Sequence, residues 1–173
     1  MGCERAGFWT PWGEGSLSAV DGVLVEVTLP PLPAGDPRLL ELPAARRRRE
    51  PPVHPEASSA ERWAAQLDDY FAGDRITWTP DEVDVAALGL TPFREAVYRA
   101  ILAVPPGATV TYSELAVLAG RPGAARAVGT AMAENPVPVV IPCHRCVRAD
   151  GSLGRYGDDD RWKPLLLRFE GWR

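Results

Sequence analysis

Asn-Pro-Val-Pro-Val-Val-Ile-Pro-Cys-His-Arg-Cys, residues 135–146, is the stretch around which the rest of the chain is organised. It is an apolar run, interrupted by Pro138 and closed by Pro142, that leads directly into Cys143 and His144. Short apolar runs bounded by turn residues are typical of buried strands. The sequence therefore predicts a thiol held at the end of a buried strand, with an imidazole beside it that can act as its base.

Two other interpretations of this cysteine come from the residues themselves. A single Cys after an apolar run is more often an inert small side chain, and a Cys-His pair alone does not transfer between protein families. Cys143 and Cys146 also have the C-x-x-C spacing of thiol–disulfide proteins, in which the pair normally opens a helix. Here residues 147–152 favour a short strand that enters a turn, which argues against a redox pair.

Composition and length limit the class of protein. A chain of 173 residues, 46% of them hydrophobic, can form one large domain or two small ones with a real core. No apolar run approaches the ~20 residues of a membrane span, and the first residues lack the plan of a secretory signal. We therefore expect a soluble, cytoplasmic protein. Three Cys and two His support neither a disulfide framework nor a zinc site.

The charge is unevenly distributed along the chain. The overall net charge is −4, but residues 91–173 carry +3 and residues 1–90 carry −7. A surface that can approach phosphates is thus expected in the C-terminal half, with modest and salt-sensitive affinity.

Two short predicted helices in this half are joined by a glycine-containing turn. The first begins at a capping box, Thr111 to Glu114, and has Leu115, Leu118 and Ala119 on one side. The second, residues 124–133, is made of small residues with one long basic side chain, Arg126. The pair is a helix-turn-helix. Small residues permit a close backbone approach and cannot identify bases, which suits binding in a narrow minor groove. Tight helix packing explains the same residues, and from the sequence pattern alone it is the slightly favoured explanation.

The remaining segments complete an α+β prediction. Residues 8–29 alternate as strands around an Asp21-Gly22 hairpin turn, and a capped helix runs from Ser58 to Gly73. Residues 30–57, which include the Arg46–Arg49 run, predict a flexible loop, and residues 74–90 predict an acidic linker. A last helix is expected to be capped by an aspartate at 158–160 and to end at Glu170. We predict a small N-terminal antiparallel sheet domain at 1–85, and a mainly helical domain with the helix-turn-helix at 86–173.

The order of motifs in the second half resembles a known family. The resemblance spans residues 91–171 and is carried by Arg126-Ala127-Val128-Gly129, Asn135-Pro136, Pro142-Cys143-His144-Arg145, Gly154-Arg155-Tyr156, Lys163 and Leu166-Leu167-Arg168-Phe169-Glu170-Gly171. These motifs resemble the O6-alkylguanine-DNA alkyltransferases, also called methylated-DNA–protein-cysteine methyltransferases.

The resemblance implies that Cys143 accepts the alkyl group from O6-alkylguanine, once per molecule and without a cofactor or metal. O4-alkylthymine is a second substrate that it allows. A relay of Cys143, water, His144 and Glu170 is implied by the family and also follows from the residues. Adjacent side chains in a strand point to opposite faces, so a water is needed between the thiol and the imidazole. A carboxylate would then orient the imidazole, as in other triads.

Further roles rest on the resemblance alone. It implies that Arg126 replaces the extruded base, that Tyr112 crowds the 3′ phosphate, and that Tyr156 donates to guanine O6. The other implied contacts are Asn135 between helix and site, the carbonyls of Cys143 and Cys146 on the guanine amino group, Lys163 behind the Tyr156 loop, and Ala125, Ala127, Gly129 and Arg145 on DNA. The implied partner is double-stranded DNA containing O6-alkylguanine, bound through the minor groove by a monomer.

Two departures from the family pattern, and three alternative functions, complete the prediction. Cys146 stands where the family usually has an aliphatic residue, so it could pair with Cys143 under oxidation, and Asp158 replaces a smaller residue. The alternatives are a damage-binding module without chemistry, a thiol-redox protein and a transcription regulator. Cys143 argues against the first, and the scarcity of polar base-reading side chains on the second helix argues against the last.

Overall fold

The computed structural model describes residues 2–35, 56–75 and 77–172. It divides into two compact units, residues 1–76 and 77–173. The sequence prediction placed the boundary at residue 85 and treated residues 74–90 as a linker. Residues 77–85 instead belong to the C-terminal unit, since Trp78, Val83 and Val85 are buried. Arg46–Arg49, His54 and most of the predicted loop lie outside the described residues.

The N-terminal unit contains a three-stranded antiparallel sheet in the order β1 (Cys3–Thr10), β2 (Gly13–Val20) and β3 (Val23–Thr28). The predicted hairpin turn joins β2 to β3. Asp21 has φ 49° and Gly22 φ 91°, and two consecutive positive φ values are the requirement of the tight turn that matches strand twist.

Helix α1 (Ser59–Ala72) covers this sheet. It begins at the predicted capping box, in which Ser58 and Glu61 bond each other's backbone, and it ends at Gly73 in the left-handed conformation. Phe71 stacks on Phe8 of β1 with ring centroids 6.1 Å apart. Apolar burial between one helix and one sheet face thus forms the core of this unit.

The C-terminal unit is mainly helical, as predicted. Its elements are α2 (Pro92–Leu102), β4 (Val110–Thr111), α3 (Tyr112–Leu118), α4 (Ala125–Ala133), β5 (Cys146–Val147) and α5 (Trp162–Phe169), and β4 pairs with β5 in parallel. Both α3 and α4 form where the helix-turn-helix was predicted, and Thr111 and Glu114 make the predicted capping box. The Tyr98 hydroxyl of α2 donates to the carbonyl of Ala131 at 2.8 Å and so ties α2 to α4.

The apolar run before Cys143 is not the strand that the sequence predicts. Its side chains are buried, but the backbone turns back on itself, with Ile141 N–H donating to the Val137 carbonyl at 3.0 Å. Val139 lies at φ 75°, a conformation that costs a β-branched residue free energy. Pro138 and Pro142 have no N–H to give to a ladder, which is the physical reason for a compact turn here.

Two smaller predictions need correction. Leu115, Leu118 and Ala119 were placed on one side of α3, but Leu115 is buried whereas Leu118 is 63% exposed, next to Val117 at 61%. The last helix has Arg161 at its N-cap position with no side-chain cap. Asp159 pairs with the side chain of Arg161 instead, and Asp160 accepts from the backbone of Tyr156. Within the described part of the chain, no helix is both long and apolar enough to cross a membrane.

Candidate active site

Cys143 is the first residue of a single 3-10 turn, Cys143–Arg145, that follows the compact proline-bounded segment. Its carbonyl accepts a hydrogen bond from the backbone N–H of Cys146, which starts β5. The turn therefore carries the side chains of Cys143, His144 and Arg145 on one short piece of backbone. The pairing of β5 with β4 anchors its far end.

Asn135 connects helix α4 to this turn. Its side-chain amide nitrogen donates to the Ile141 carbonyl at 2.8 Å and to the Cys143 sulfur at 3.1 Å. Its side-chain oxygen accepts from the backbone N–H of Val137 at 3.1 Å. One amide thus fixes both ends of the apolar segment and touches the thiol. The link between helix and site that was predicted for this residue is present in the geometry.

The Cys143 side chain is 5% exposed and lines a cavity. Burial raises the pKa of its thiol above the usual range, while hydrogen bonds from Asn135 and Tyr156 and the charge of Lys163 act in the opposite direction. Burial therefore makes the protonated thiol the resting form of this sulfur. A nearby group must therefore take the proton when the sulfur reacts.

His144 and Glu170 form a fully buried pair. The His144 Nε2 atom lies 2.8 Å from Glu170 Oε1, and both side chains have no exposed surface. Glu170 is in position because it caps the end of α5, whose backbone approaches the turn at Gly107. A Cβ atom at Gly107, which has φ 74°, would lie 2.9 Å from the Glu170 carbonyl oxygen, so only glycine permits this approach.

The pair fixes the tautomer of the imidazole. A carboxylate can only accept, so Nε2 carries the proton and Nδ1 of the neutral ring is an acceptor. The Nδ1 atom is buried and has no hydrogen-bond partner among the described residues. Burial lowers the pKa of His144, against the raising effect of Glu170. The site therefore contains a neutral imidazole with an unused lone pair one residue from the thiol.

Arg145 was predicted to contact DNA, and the structure corrects this. The side chain is 1% exposed, because its guanidinium turns inward onto Glu170. Nε donates to Oε2 and Nη2 donates to Oε1, each at 2.8 Å. Burial acts to raise the Glu170 pKa, but the interaction with His144, followed by these contacts with Arg145, holds it down at about 2. A buried guanidinium in this geometry has no surface to offer to a phosphate.

The cavity beside Cys143 has a volume of about 470 Å³ and is bounded by several elements of the C-terminal unit. Tyr112 from α3, Gly129 and Met132 from α4, and residues 154–158 of the loop before α5 all contribute to its wall. A cavity of this size lies in the range of small-molecule sites. It is large enough for a ligand the size of a nucleobase.

Tyr156 and Lys163 also line this cavity. Both are buried, and the Tyr156 ring stands edge-on to the His144 ring with centroids 6.4 Å apart. The Lys163 ammonium lies 6.0 Å from the centroid of the Tyr112 ring. Burial lowers the pKa of Lys163, while the neighbouring Cys146 and Cys143 act to raise it. Three of the predicted substrate-binding residues, Tyr112, Tyr156 and Lys163, thus line one cavity together with the thiol.

Cys146 is fully buried and does not line the cavity. Burial raises its pKa to about 12, opposed by the charge of Lys163. Both Cys143 and Cys146 are free thiols in the structure.

The outward side of α4 is made of small residues. Arg126 and Ala127 are exposed, and Ala125 and Gly129 are partly exposed. A Cβ atom on Gly129 would meet the Tyr112 ring at 3.9 Å, an ordinary contact. Tight packing within this unit therefore does not require small residues at positions 127 and 129, which weakens the structural explanation of the pattern.

Two arginines at the cavity were not among the predicted site residues. Arg148 and Arg155 are exposed and both line the cavity, close to Cys143 and Tyr112. The available sequence signal was the presence of two arginines within the segment that follows the cysteine, one of them inside the Gly154-Arg155-Tyr156 motif. Among residues 2–35, 56–75 and 77–172, no three His, Cys, Asp or Glu side chains are grouped to hold a metal ion.

Comparison with known proteins relates this geometry to a family. The family model for the DNA binding domain of 6-O-methylguanine DNA methyltransferase matches residues 92–172. A methylated-DNA–protein-cysteine methyltransferase of Salmonella typhimurium is 44% identical over 62% of this chain and 61% of that protein. The corresponding protein of Mycobacterium leprae is 41% identical over 67% of this chain and 68% of its own length. The chain thus matches about three fifths of the length of the Salmonella relative.

Solved structures cover more of the chain. A crystal structure of Mycobacterium tuberculosis O6-methylguanine methyltransferase is 30% identical, with a TM-score of 0.70 over 98% of this chain and 93% of that one. The same organism's protein in complex with DNA has a TM-score of 0.69 at 30% identity over 96% of this chain and 91% of that one.

Proposed function

This chain belongs to the family of methylated-DNA–protein-cysteine methyltransferases, and from that premise we propose that it repairs DNA by moving an alkyl group from O6 of an alkylated guanine to its own Cys143. The observation that carries the proposal is a cavity-lining thiol one residue from a buried imidazole whose Nε2 is held by Glu170 and whose Nδ1 is unused. This arrangement can take a proton from the sulfur at the moment of reaction.

In the transfer step, one bond to the alkyl carbon forms as another breaks. The Cys143 sulfur forms a bond to the alkyl carbon, and the bond between that carbon and guanine O6 breaks. The thiol proton passes to His144 Nδ1 through a bridging water, which we place there because Nδ1 is the one ring nitrogen free to accept. The electron pair of the broken bond goes to the guanine. The proton that the thiol gave to His144 is returned through water to N1 of the guanine, so that the released base is ordinary guanine.

Tyr156 and Cys143 supply the supporting contacts in this scheme. The Tyr156 hydroxyl donates to guanine O6 as charge develops on it, which stabilises the leaving base. The carbonyl of Cys143 already accepts from Cys146 N–H, so one lone pair is left for the guanine amino group, together with the carbonyl of Cys146. The product is a thioether, which no group in the site can hydrolyse. Each molecule therefore reacts once, and no cofactor is needed.

DNA enters through the exposed side of α4 in this proposal. The small residues Ala125, Ala127 and Gly129 allow the helix to approach the minor groove closely, without reading bases. Arg126 fills the space left by the damaged nucleotide, which must leave the stack to reach Cys143, and Tyr112 presses on its 3′ phosphate. Lys163 supports the cavity wall near Tyr156. The protein acts as a monomer, in the cytoplasm where the DNA is.

Intact-protein mass spectrometry tests the function directly. The protein is mixed with a duplex that carries one O6-methylguanine, and with the same duplex carrying guanine as the control. We expect the mass to rise by one methyl group in the first mixture only, and peptide mapping to place it on Cys143. Binding of the methylated duplex with no mass change would establish the alternative, a damage-binding module. If neither duplex raises the protein mass, and the protein instead loses two hydrogens reversibly on oxidation, the result would favour a thiol-redox protein.

Arg126→Ala is expected to slow transfer from paired DNA much more than transfer from single strands. Extruding a base from a duplex costs a few kcal/mol, so losing the side chain that fills the gap should cost about tenfold or more in rate. A single strand has little stacking to break. Single-turnover rates with the two substrates measure the difference, and Arg126→Lys controls for charge. Equal losses on both substrates would show that Arg126 acts only as a phosphate contact.

Arg148→Gln and Arg155→Gln are each expected to weaken DNA binding and reduce its salt dependence. Both arginines lie at the cavity, where the phosphates beside an extruded nucleotide must pass. The logarithm of the affinity falls linearly with the logarithm of the salt concentration, and removing one phosphate contact should make this negative slope shallower by about 1. Fluorescence anisotropy at several salt concentrations measures this slope. Arg62→Gln in α1 is the matched control, and a slope equal to the parent's in either cavity variant contradicts the assignment.

A further inference from the structure

Arg145 holds the carboxylate of the His144–Glu170 pair by both of its oxygens. Glu170 Oε2 accepts from Nε, and Oε1 accepts from Nη2, each at 2.8 Å. The same Oε1 atom lies 2.8 Å from His144 Nε2. One carboxylate oxygen is therefore shared between a guanidinium and an imidazole that are neighbours in the chain.

The guanidinium is itself fixed by two further contacts. Nη1 donates to the Val104 carbonyl at 2.6 Å, just beyond the end of α2, and to the Thr77 hydroxyl at 3.3 Å. A bidentate arginine–carboxylate pair defines the plane of the carboxylate as well as its position. Glu170 therefore cannot rotate away from His144 without breaking two charged hydrogen bonds in a buried site.

The charges around His144 act in opposite directions. Glu170, at the end of α5, acts to raise the pKa of the imidazole. Burial, Arg145 in the same turn, and Lys163 from α5 all lower it, and burial is the largest cause. Tyr156 contributes a ring contact from the preceding loop. The sum is a pKa below the ordinary value of 6.5, so the ring is neutral at physiological pH although it is bonded to a carboxylate.

We propose that Arg145 is a positioning residue for alkyl transfer: it locks Glu170 against His144 and offsets the carboxylate charge, so that the imidazole stays neutral and can accept the Cys143 proton. This inference rests on the proposed function. A carboxylate without the guanidinium would orient the ring but would also favour the imidazolium, which has no lone pair to offer. With Arg145 present, the carboxylate still orients the ring, but its charge no longer favours the imidazolium.

The chain allows a clean measurement of this effect, because it has two histidines. His54→Gln leaves His144 as the sole imidazole, and NMR of histidine-labelled protein then follows its titration in the full chain. We expect the His144 titration midpoint to lie below 6.5 in this parent. A midpoint at or above that value would overturn the inference whatever the variants do.

Arg145→Met and Arg145→Lys are then compared in the same background. Arg145→Met should raise the His144 midpoint and move the acid limb of the transfer-rate profile to higher pH by the same amount. Arg145→Lys keeps a charge but cannot hold both oxygens, so it should keep the midpoint near the parent's while slowing transfer by about tenfold to a hundredfold. A variant with lowered stability alone would shift neither the midpoint nor the pH profile.

The outcomes separate this inference from the proposed function. If the parent methylates Cys143 but both Arg145 variants keep the parent's rate and pH profile, the inference is wrong and the function stands. If the parent does not methylate Cys143, the function is wrong, and the NMR midpoints still decide whether Arg145 keeps His144 neutral. If Arg145→Met does not fold, the His144 titration midpoint in the parent and the transfer rate of Arg145→Lys decide whether the inference holds.

Discussion

Cys143→Ser is expected to reduce methyl transfer by at least about a thousandfold, as loss of a nucleophile does in other covalent reactions, while leaving DNA affinity within a few-fold of the parent. The substitution replaces sulfur by oxygen in a site that is 5% exposed and leaves the cavity shape nearly unchanged. A hydroxyl is a far weaker nucleophile than a thiol near neutral pH. The neutral His144, whose pKa is already lowered by burial, cannot remove its proton efficiently.

Single-turnover transfer from a labelled O6-methylguanine duplex measures this change, and anisotropy with the same duplex measures binding. Cys3→Ser is the matched control, because Cys3 is an exposed free thiol at the start of β1, outside the C-terminal unit. It should react at the parent's rate. Methyl transfer to the Cys143→Ser protein at a normal rate would show that another residue is the acceptor. Loss of DNA binding in that variant would show that the substitution changed the shape of the cavity and not only the nucleophile.

Short-range patterns predicted the local elements of the fold. The Asp21-Gly22 turn and the capping boxes at Ser58 and Thr111 are formed by residues within four positions of one another, so their chemistry is complete in the sequence. The segment before Cys143 is different. Its apolar composition predicted burial correctly, but Pro138, Pro142 and the positive φ of Val139 make a turn where hydrophobic periodicity indicates a strand. Burial and backbone conformation are separate properties, and the apolar pattern predicted burial but not the conformation of the backbone.

The candidate site shows the same limit at longer range. His144 and Glu170 were predicted to meet, and their side chains do, across 26 positions of sequence. Arg145 was placed on DNA from the resemblance alone, but its side chain is buried and its partner is the same carboxylate, 25 positions away. Sequence adjacency to a cysteine motif cannot show which way a turn directs its third side chain. The cavity arginines Arg148 and Arg155 were missed for the same reason.

Glu170→Gln is expected to lower the free energy of unfolding at pH 7 by about 3–5 kcal/mol, because it leaves the buried Arg145 charge without its partner. The amide also presents a donor where two donors already point. The pH dependence has a definite sign. The pKa of Glu170 is depressed to about 2 in the folded protein from an ordinary 4.5, which corresponds to about 3 kcal/mol of stability. That stability is present above pH 4.5 and is lost as the pH falls from there toward 2.

The part of the difference in unfolding free energy that comes from titration of Glu170 itself should therefore be constant from pH 7 to about 5 and shrink below pH 4.5. Between pH 7 and 5 the total difference should not shrink, because Glu170 raises the pKa of His144 in the parent only. Taking the difference removes the other carboxylates, since they titrate alike in both proteins. Urea unfolding followed by tryptophan fluorescence gives the values. Glu134→Gln is the matched control, because it breaks an exposed ion pair with Arg94 and should cost about 1 kcal/mol or less. If Glu170→Gln costs no more than Glu134→Gln, then the buried carboxylate does not hold Arg145 and His144 together. The site would then lack the fixed imidazole on which proton removal from Cys143 depends.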